Sequence, residues 1–149
     1  MKTLFIYYSR SGNGDCVAEA FVARGAAVRK VTPVKELPVS LFPCMMKGGF
    51  LATIGYKAKL RDFDTSLEGF DHVVIGSPVW NGRLSCPINT VLATLDLSAV
   101  KVDFVLYAGG GSAPKAEKRL KKEYPNAKVV VLKEPKRYPS EPEKADQLF

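Results

Sequence analysis

Apolar residues along this chain gather into short dense runs rather than alternating with polar ones. Four runs, TLFIYY, HVVIGS, VDFVLYA and AKVVVL, are rich in β-branched and aromatic residues and read as strands covered on both faces. Between them the spacing becomes helical. Val17, Ala20, Phe21 and Arg24 end at Gly25; Ile88, Val91, Leu92 and Leu95 follow Ser85 and Pro87; Ala116 and Leu120 follow Ser112 and Pro114. Strand and helix in alternation predict a parallel sheet with crossover helices. A weaker run, AAVRKV, follows the first helix and brings the strands to five.

Two stretches are harder to place. From Thr32 to Leu67, three prolines (Pro33, Pro38, Pro43) precede MMKGGFLATIGYKAKL, which predicts a loop and then a helix around Met45 to Ile54. At the end, PKRYPSEPEKADQLF carries Ser140-Glu141-Pro142-Glu143, a capping-box spacing, with room for about two and a half helical turns. The expected architecture is therefore α/β, a three-layer sandwich forming one domain over residues 1–149, with a short last helix.

Composition narrows the class. With 149 residues and 46% hydrophobic content the chain suits one domain with a single core. The run from Leu4 to Tyr8 is too short for a secretory leader, and no apolar run approaches the roughly 18 residues of a membrane span. Cys16, Cys44 and Cys86 match neither a disulfide framework nor a zinc spacing, so a reducing, cytoplasmic setting is expected. The net charge of +7 is concentrated: from Lys115 to Arg137 nine Lys and Arg stand against three Glu. That segment lacks the interleaved aromatics of a base-stacking surface and reads as a solvated helix face, so no nucleic-acid partner is expected.

In an open parallel sheet, ligands sit beyond the carboxyl ends of the strands, where successive crossovers leave to opposite faces. Three glycine-bearing loops are built for that edge: SRSGNGD after the first strand, SPVWNGRLS after the third and AGGGSAPK after the fourth. In the first, glycines allow close backbone approach, and Ser9, Ser11 and Asn13 add side-chain donors beside the free amides of a helix start. This reads as an anion cradle, best matched to one phosphate. A polar turn with a good N-cap would account for one Ser or Asn, but less well for the whole set. Neither a P-loop nor a dinucleotide fingerprint is present, Tyr7-Tyr8 replaces the paired acids of a phosphoacceptor, and Cys16 lies beyond the loop.

SRSGNG resembles the T-x-T-G-N-T phosphate loop of flavodoxins, and VVIGSPVWNGRLSCPINTVLATL resembles the third strand, flavin loop and following helix of that family. The likeness in element order runs from Met1 to about Leu132. It implies a flavodoxin-like fold with sheet order 2-1-3-4-5 and non-covalent FMN. By position, Ser9, Arg10, Ser11, Gly12, Asn13 and Gly14 would hold the phosphate. Pro78, Val79, Trp80, Asn81 and Gly82 would line the ring system, and Ala108, Gly109, Gly110 and Gly111 would approach its pyrimidine end. A backbone flip in such a turn makes Gly82 the candidate for one-electron control. The chain departs from the family in three places: Gly14 replaces the motif's last Thr, the loop after the fourth strand has no aromatic, and the last helix is short.

Read without the family, Trp80 in a Pro-Val-Trp-Asn-Gly turn is a large aromatic that either covers a flat ligand or caps the core edge. His72 lies at a strand entry far from the ligand edge and reads as a surface or satisfied histidine, and Cys16 as a small buried helix residue. Three functions follow: an electron carrier for a redox partner protein, an FMN-dependent NAD(P)H oxidoreductase acting on a small planar quinone or nitro compound, or a module of this fold that binds no flavin. The carrier is placed first. Arg10, Arg83 and Lys115, opposed in these loops by Asp15 alone, predict a positive field at the ligand edge. The shortened end predicts apolar sheet left uncovered and, from it, a homodimer.

Overall fold

The computed structural model describes residues 1–36 and 57–149. The helix expected around Met45 to Ile54, and Cys44, lie outside the described residues. In chain order the elements are β1 (Thr3–Tyr7), α1 (Asn13–Ala23), β2 (Ala27–Lys30), β3 (His72–Trp80), β4 (Arg83–Leu84), α2 (Cys86–Thr94), β5 (Lys101–Ala108), α3 (Pro114–Glu123), β6 (Val129–Lys133) and a 3-10 helix (Glu141–Leu148). The five long strands are parallel in the order β2-β1-β3-β5-β6. That is the expected order of crossovers. The sixth strand, β4, was not foreseen: two residues fold back antiparallel on the end of β3.

Strand residues point alternately to the two faces, and each face has its own core. Leu4, Ile6, Val73, Ile75, Phe104 and Leu106 pack with Ile88, Val91, Ala116 and Leu120, so α2 and α3 cover one side. Phe5, Tyr7, Val74, Val105 and Tyr107 pack with Val17, Ala18 and Phe21, so α1 covers the other. The crossover after β1 therefore leaves to one face and that after β3 to the opposite face. The switch point falls between these two neighbouring strands, and the loops after β1, β3 and β5 share one edge. Gly76 makes the aromatic packing beneath that edge feasible: a Cβ there would stand 2.5 Å from Phe5 Cζ, and Phe5 stacks on both Tyr7 and Phe21.

The chain end differs from expectation in two ways. It forms a 3-10 helix, and Ser140 makes no side-chain cap. Its apolar residues explain the winding: Pro142, Ala145 and Leu148 recur every third position, which a three-residue turn brings onto one line. Ala145 and Leu148 are buried against Phe21 and Val130, and the Phe149 ring lies 4.9 Å from that of Phe21. The end thus covers the sheet face beside α1 instead of leaving it bare.

Candidate cofactor site

The loop after β1 is organised around one buried hydroxyl. Ser9 Oγ accepts from the amides of Gly12 (3.2 Å) and Gly14 (3.0 Å), drawing the chain into a tight cup. Gly12 caps α1 at φ +97°, a conformation natural to glycine, and Cys16 N–H donates the first helical bond to its carbonyl. The Asn13 and Asp15 amides belong to the first turn and have no acceptor inside the helix. Ser9 is therefore a brace under the cup, while these amides and the exposed Ser11 form its working surface. Asp15, the acid in this turn, is held by Tyr7 Oη (2.9 Å) and Lys30 Nζ (3.0 Å). Its charge is neutralised locally. Burial, then the Asp15 hydrogen bond, pushes the Tyr7 phenol well above its ordinary pKa.

Gly14 departs from the family motif, and the fold shows why. A Cβ at this position would stand 2.5 Å from Tyr107 Oη and 2.8 Å from Ser9 Cβ. The Tyr107 hydroxyl occupies that space and donates to the Tyr8 carbonyl, joining the end of β5 to the first loop.

The second loop is a two-residue hairpin. Asn81 and Gly82 both have positive φ, 50° and 75°, as a type I′ turn requires, and Val79 and Trp80 pair with Leu84 and Arg83. A buried hydroxyl braces this loop too. Ser77 Oγ donates to the Pro78 carbonyl (2.8 Å), accepts from Ser85 N–H (3.1 Å) and lies 3.0 Å from Ser85 Oγ. The Gly82 carbonyl, expected to be the movable one, accepts from the Ala116 amide at 3.1 Å and ties the turn to α3. Trp80 is half-buried. It packs against the core and meets the Tyr8 ring edge-on at 5.8 Å, so it caps the core edge while keeping part of its surface exposed.

In the third loop Ala108 is buried and Gly109 and Gly110 are exposed. A Cβ on either glycine would meet nothing within 4 Å, so packing within the chain does not call for glycine there. Gly111, at φ +73°, lies against Lys133, where a Cβ would stand 3.1 Å from that of the lysine.

The structure adds residues that the sequence reading missed. Lys136, in the loop after β6, donates its main-chain N–H to Asn13 Oδ1 (3.0 Å) and reaches the Ser11 carbonyl with Nζ (3.2 Å). Its only signal was its place between Pro135 and Pro139, and it was counted with the solvated basic face. The local charge also differs from the count made over the loops. Arg10 is met by Glu36 at 3.7 Å, and Glu36 also accepts from Tyr8 Oη. Burial, followed by Glu36, pushes the Tyr8 phenol up.

The remaining candidates stand apart. His72 is fully buried rather than at the surface, between Thr3 Oγ1 (3.2 Å) and Asp103 Oδ2 (2.8 Å) at the opposite end of the sheet. Cys16 is half-buried, and burial pushes the Cys86 thiol up to about 11, far from thiolate character. Among the described residues no group of three or more metal-ligating side chains occurs, and no helix is long and apolar enough to cross a membrane.

No curated protein matches the chain. Among solved structures, a protein of Bacteroides eggerthii DSM 20697 is 23% identical over 87% of this chain and 86% of its own, with a TM-score of 0.76. A flavoprotein from Lactobacillus acidophilus NCFM, solved in complex with FMN, is 20% identical over 94% of this chain and 97% of its own, with a TM-score of 0.70. At such identities these likenesses establish the fold. A family model described as Flavodoxin matches residues 56–145, more than half of the chain, from the approach to β3 into the 3-10 helix. With this match and the parallel 2-1-3-5-6 sheet, the chain belongs to the flavodoxin family.

Proposed function

We propose that this chain binds FMN non-covalently at the edge formed by the loops after β1, β3 and β5, and that it carries electrons to a redox partner. The observation behind this reading is the cup of residues 9–14, where first-turn amides without helical acceptors meet a helix start whose acid, Asp15, is already neutralised by Lys30. A phosphate monoester fits such a donor set. The Tyr107 hydroxyl fills the space left by a side chain at residue 14, so the glycine does not open a void. The Ser11 hydroxyl and the Asn13 and Asp15 amides would hold the phosphate, Ser9 would brace the cup through Gly12 and Gly14, Trp80 and the Asn81-Gly82 turn would border the ring system, and Gly109 and Gly110 would allow the backbone close to it. FMN, when bound, supplies one- and two-electron chemistry.

One observation favours a second reading, an NAD(P)H-dependent oxidoreductase. The exposed Gly109 and Gly110 place no side chain over their side of the site, which would leave room for a planar substrate or a nicotinamide to stack. The visible spectrum of the purified protein, followed by anaerobic titration with dithionite and then with NADPH, tests both. Flavin bands that bleach with dithionite alone support the carrier. Bleaching by NADPH supports the enzyme. Protein that is colourless and takes up no added FMN overturns both.

A further inference from the structure

We propose that Lys136 is an electrostatic clamp on the bound phosphate, closing the cup from outside with a cation brought from the loop after β6. The proposal rests on the FMN reading and adds to it a residue 125 positions away from the loop it serves.

Three observations carry it. First, the lysine is held in place by its backbone: its N–H donates to Asn13 Oδ1, and the turn behind it is fixed by bonds from the amides of Arg137 (2.8 Å) and Tyr138 (3.0 Å) to the Glu134 carbonyl. The side chain is thus delivered to the cup whatever its terminal group does. Second, Lys136 Nζ lies 3.3 Å from where a Gly12 Cβ would stand, at the mouth of the cup, and its partner there is a neutral carbonyl, that of Ser11. Third, among the described residues no carboxylate pairs with Lys136, whereas its neighbours Glu134 and Arg137 pair with each other and Arg10 is met by Glu36. An ammonium poised at the mouth of the cup, beside the first-turn amides of Asn13 and Asp15, is complementary to a phosphate monoester carrying nearly two negative charges at neutral pH. Because Lys136 is exposed, its contribution is screened by salt.

The ligand to be distinguished is the phosphate rather than the ring. Apo-protein is titrated with FMN and with riboflavin, followed by flavin fluorescence, for the parent, Lys136→Met and Lys136→Arg at low and at physiological ionic strength. The expected result is an FMN Kd raised about tenfold in Lys136→Met at low salt. The gap should narrow as salt is added, Lys136→Arg should keep most of the affinity, and riboflavin binding should not change. An unchanged FMN Kd, or an equal loss for riboflavin, overturns the clamp. If the parent takes up neither flavin, the FMN reading fails separately, and orthophosphate with thermal unfolding becomes the probe. Stabilisation of the parent that is lost in Lys136→Met upholds the clamp; equal stabilisation of both, or none, overturns it.

Discussion

Tyr107 and Gly14 occupy complementary halves of one space: the phenol hydroxyl sits where any side chain at residue 14 would have to go. Gly14→Ala should therefore destabilise the protein by about 1–3 kcal/mol through overpacking, lowering Tm by roughly 2–4 °C per kcal/mol for a chain of this size. Tyr107→Phe should cost about 1 kcal/mol, because the Tyr8 carbonyl loses its donor. Removing the hydroxyl also removes the nearest atom in the clash, so the double variant should be more stable than the sum of the two predicts. Thermal or urea unfolding of the four proteins gives the coupling directly. Strict additivity would show that the two residues do not share that space.

Gly109 and Gly110 should separate stability from binding. Each can accept a methyl group without contact, so Gly109→Ala and Gly110→Ala should leave Tm unchanged or raise it, by up to about 1 kcal/mol of stability, through a less flexible unfolded chain. If these glycines exist to let a ligand approach, FMN affinity should fall in the same variants. Calorimetric titration beside a thermal scan reads both, and full affinity in both variants would refute the approach.

Ser77 and Ser85 touch each other, yet their removal should not be equivalent. Ser77 Oγ serves the Pro78 carbonyl and the Ser85 amide, so Ser77→Ala strands buried main-chain groups and should cost about 2 kcal/mol. Ser85→Ala deletes only its own hydroxyl and should cost less than half as much. Since Ser77 holds the base of the hairpin that carries Trp80, its variant should also bind FMN more weakly. Chemical denaturation ranks the two, and the opposite ranking would show that the brace is misassigned.

The buried His72 makes stability depend on pH. An ionised Asp103 can only accept, so Nε2 carries the proton toward it and Nδ1 accepts from the Thr3 hydroxyl. Burial is the largest influence and lowers the imidazole pKa below its ordinary 6.5, against the opposing pull of Asp103. Between the lowered value and 6.5 the folded state binds fewer protons than the unfolded one. Stability contributed by the neutral ring is present above pH 6.5 and is lost as pH falls below it. His72→Gln should show a flatter dependence of Tm on pH between about 7 and 5 than the parent. Identical slopes would mean that His72 does not titrate on unfolding.

Strands with continuous apolarity, such as Phe5 to Tyr7 and Val73 to Ile75, were legible because burial on both faces leaves little room for polar residues. The loops at their carboxyl ends were legible because Gly12, Asn81 and Gly82 mark backbone conformations that other residues resist. What escaped the reading depends on distance along the chain. The fit of Tyr107 into Gly14, the pairing of Glu36 with Arg10, and the bond from Ala116 to the Gly82 carbonyl join residues whose own neighbourhoods give no sign of the partner. Lys136 was misread for the same reason, as one more cation in a basic stretch. The 3-10 winding of the chain end rests on the three-residue repeat of Pro142, Ala145 and Leu148, whose buried partners Phe21 and Val130 lie elsewhere in the sequence, whereas the capping-box spacing beside it is a signature of an α-helix.

The contact between Lys136 and the first loop also has a bearing on biosynthesis. A polypeptide emerges from its amino end, so the cup of residues 9–14 is made early, whereas the loop that closes its mouth is made more than 120 residues later. A flavin meeting the nascent β1-α1-β2 unit would find amides but neither the hairpin of Trp80 nor the lysine. The cup and the lysine that faces it therefore come together only once the loop after β6 has been made.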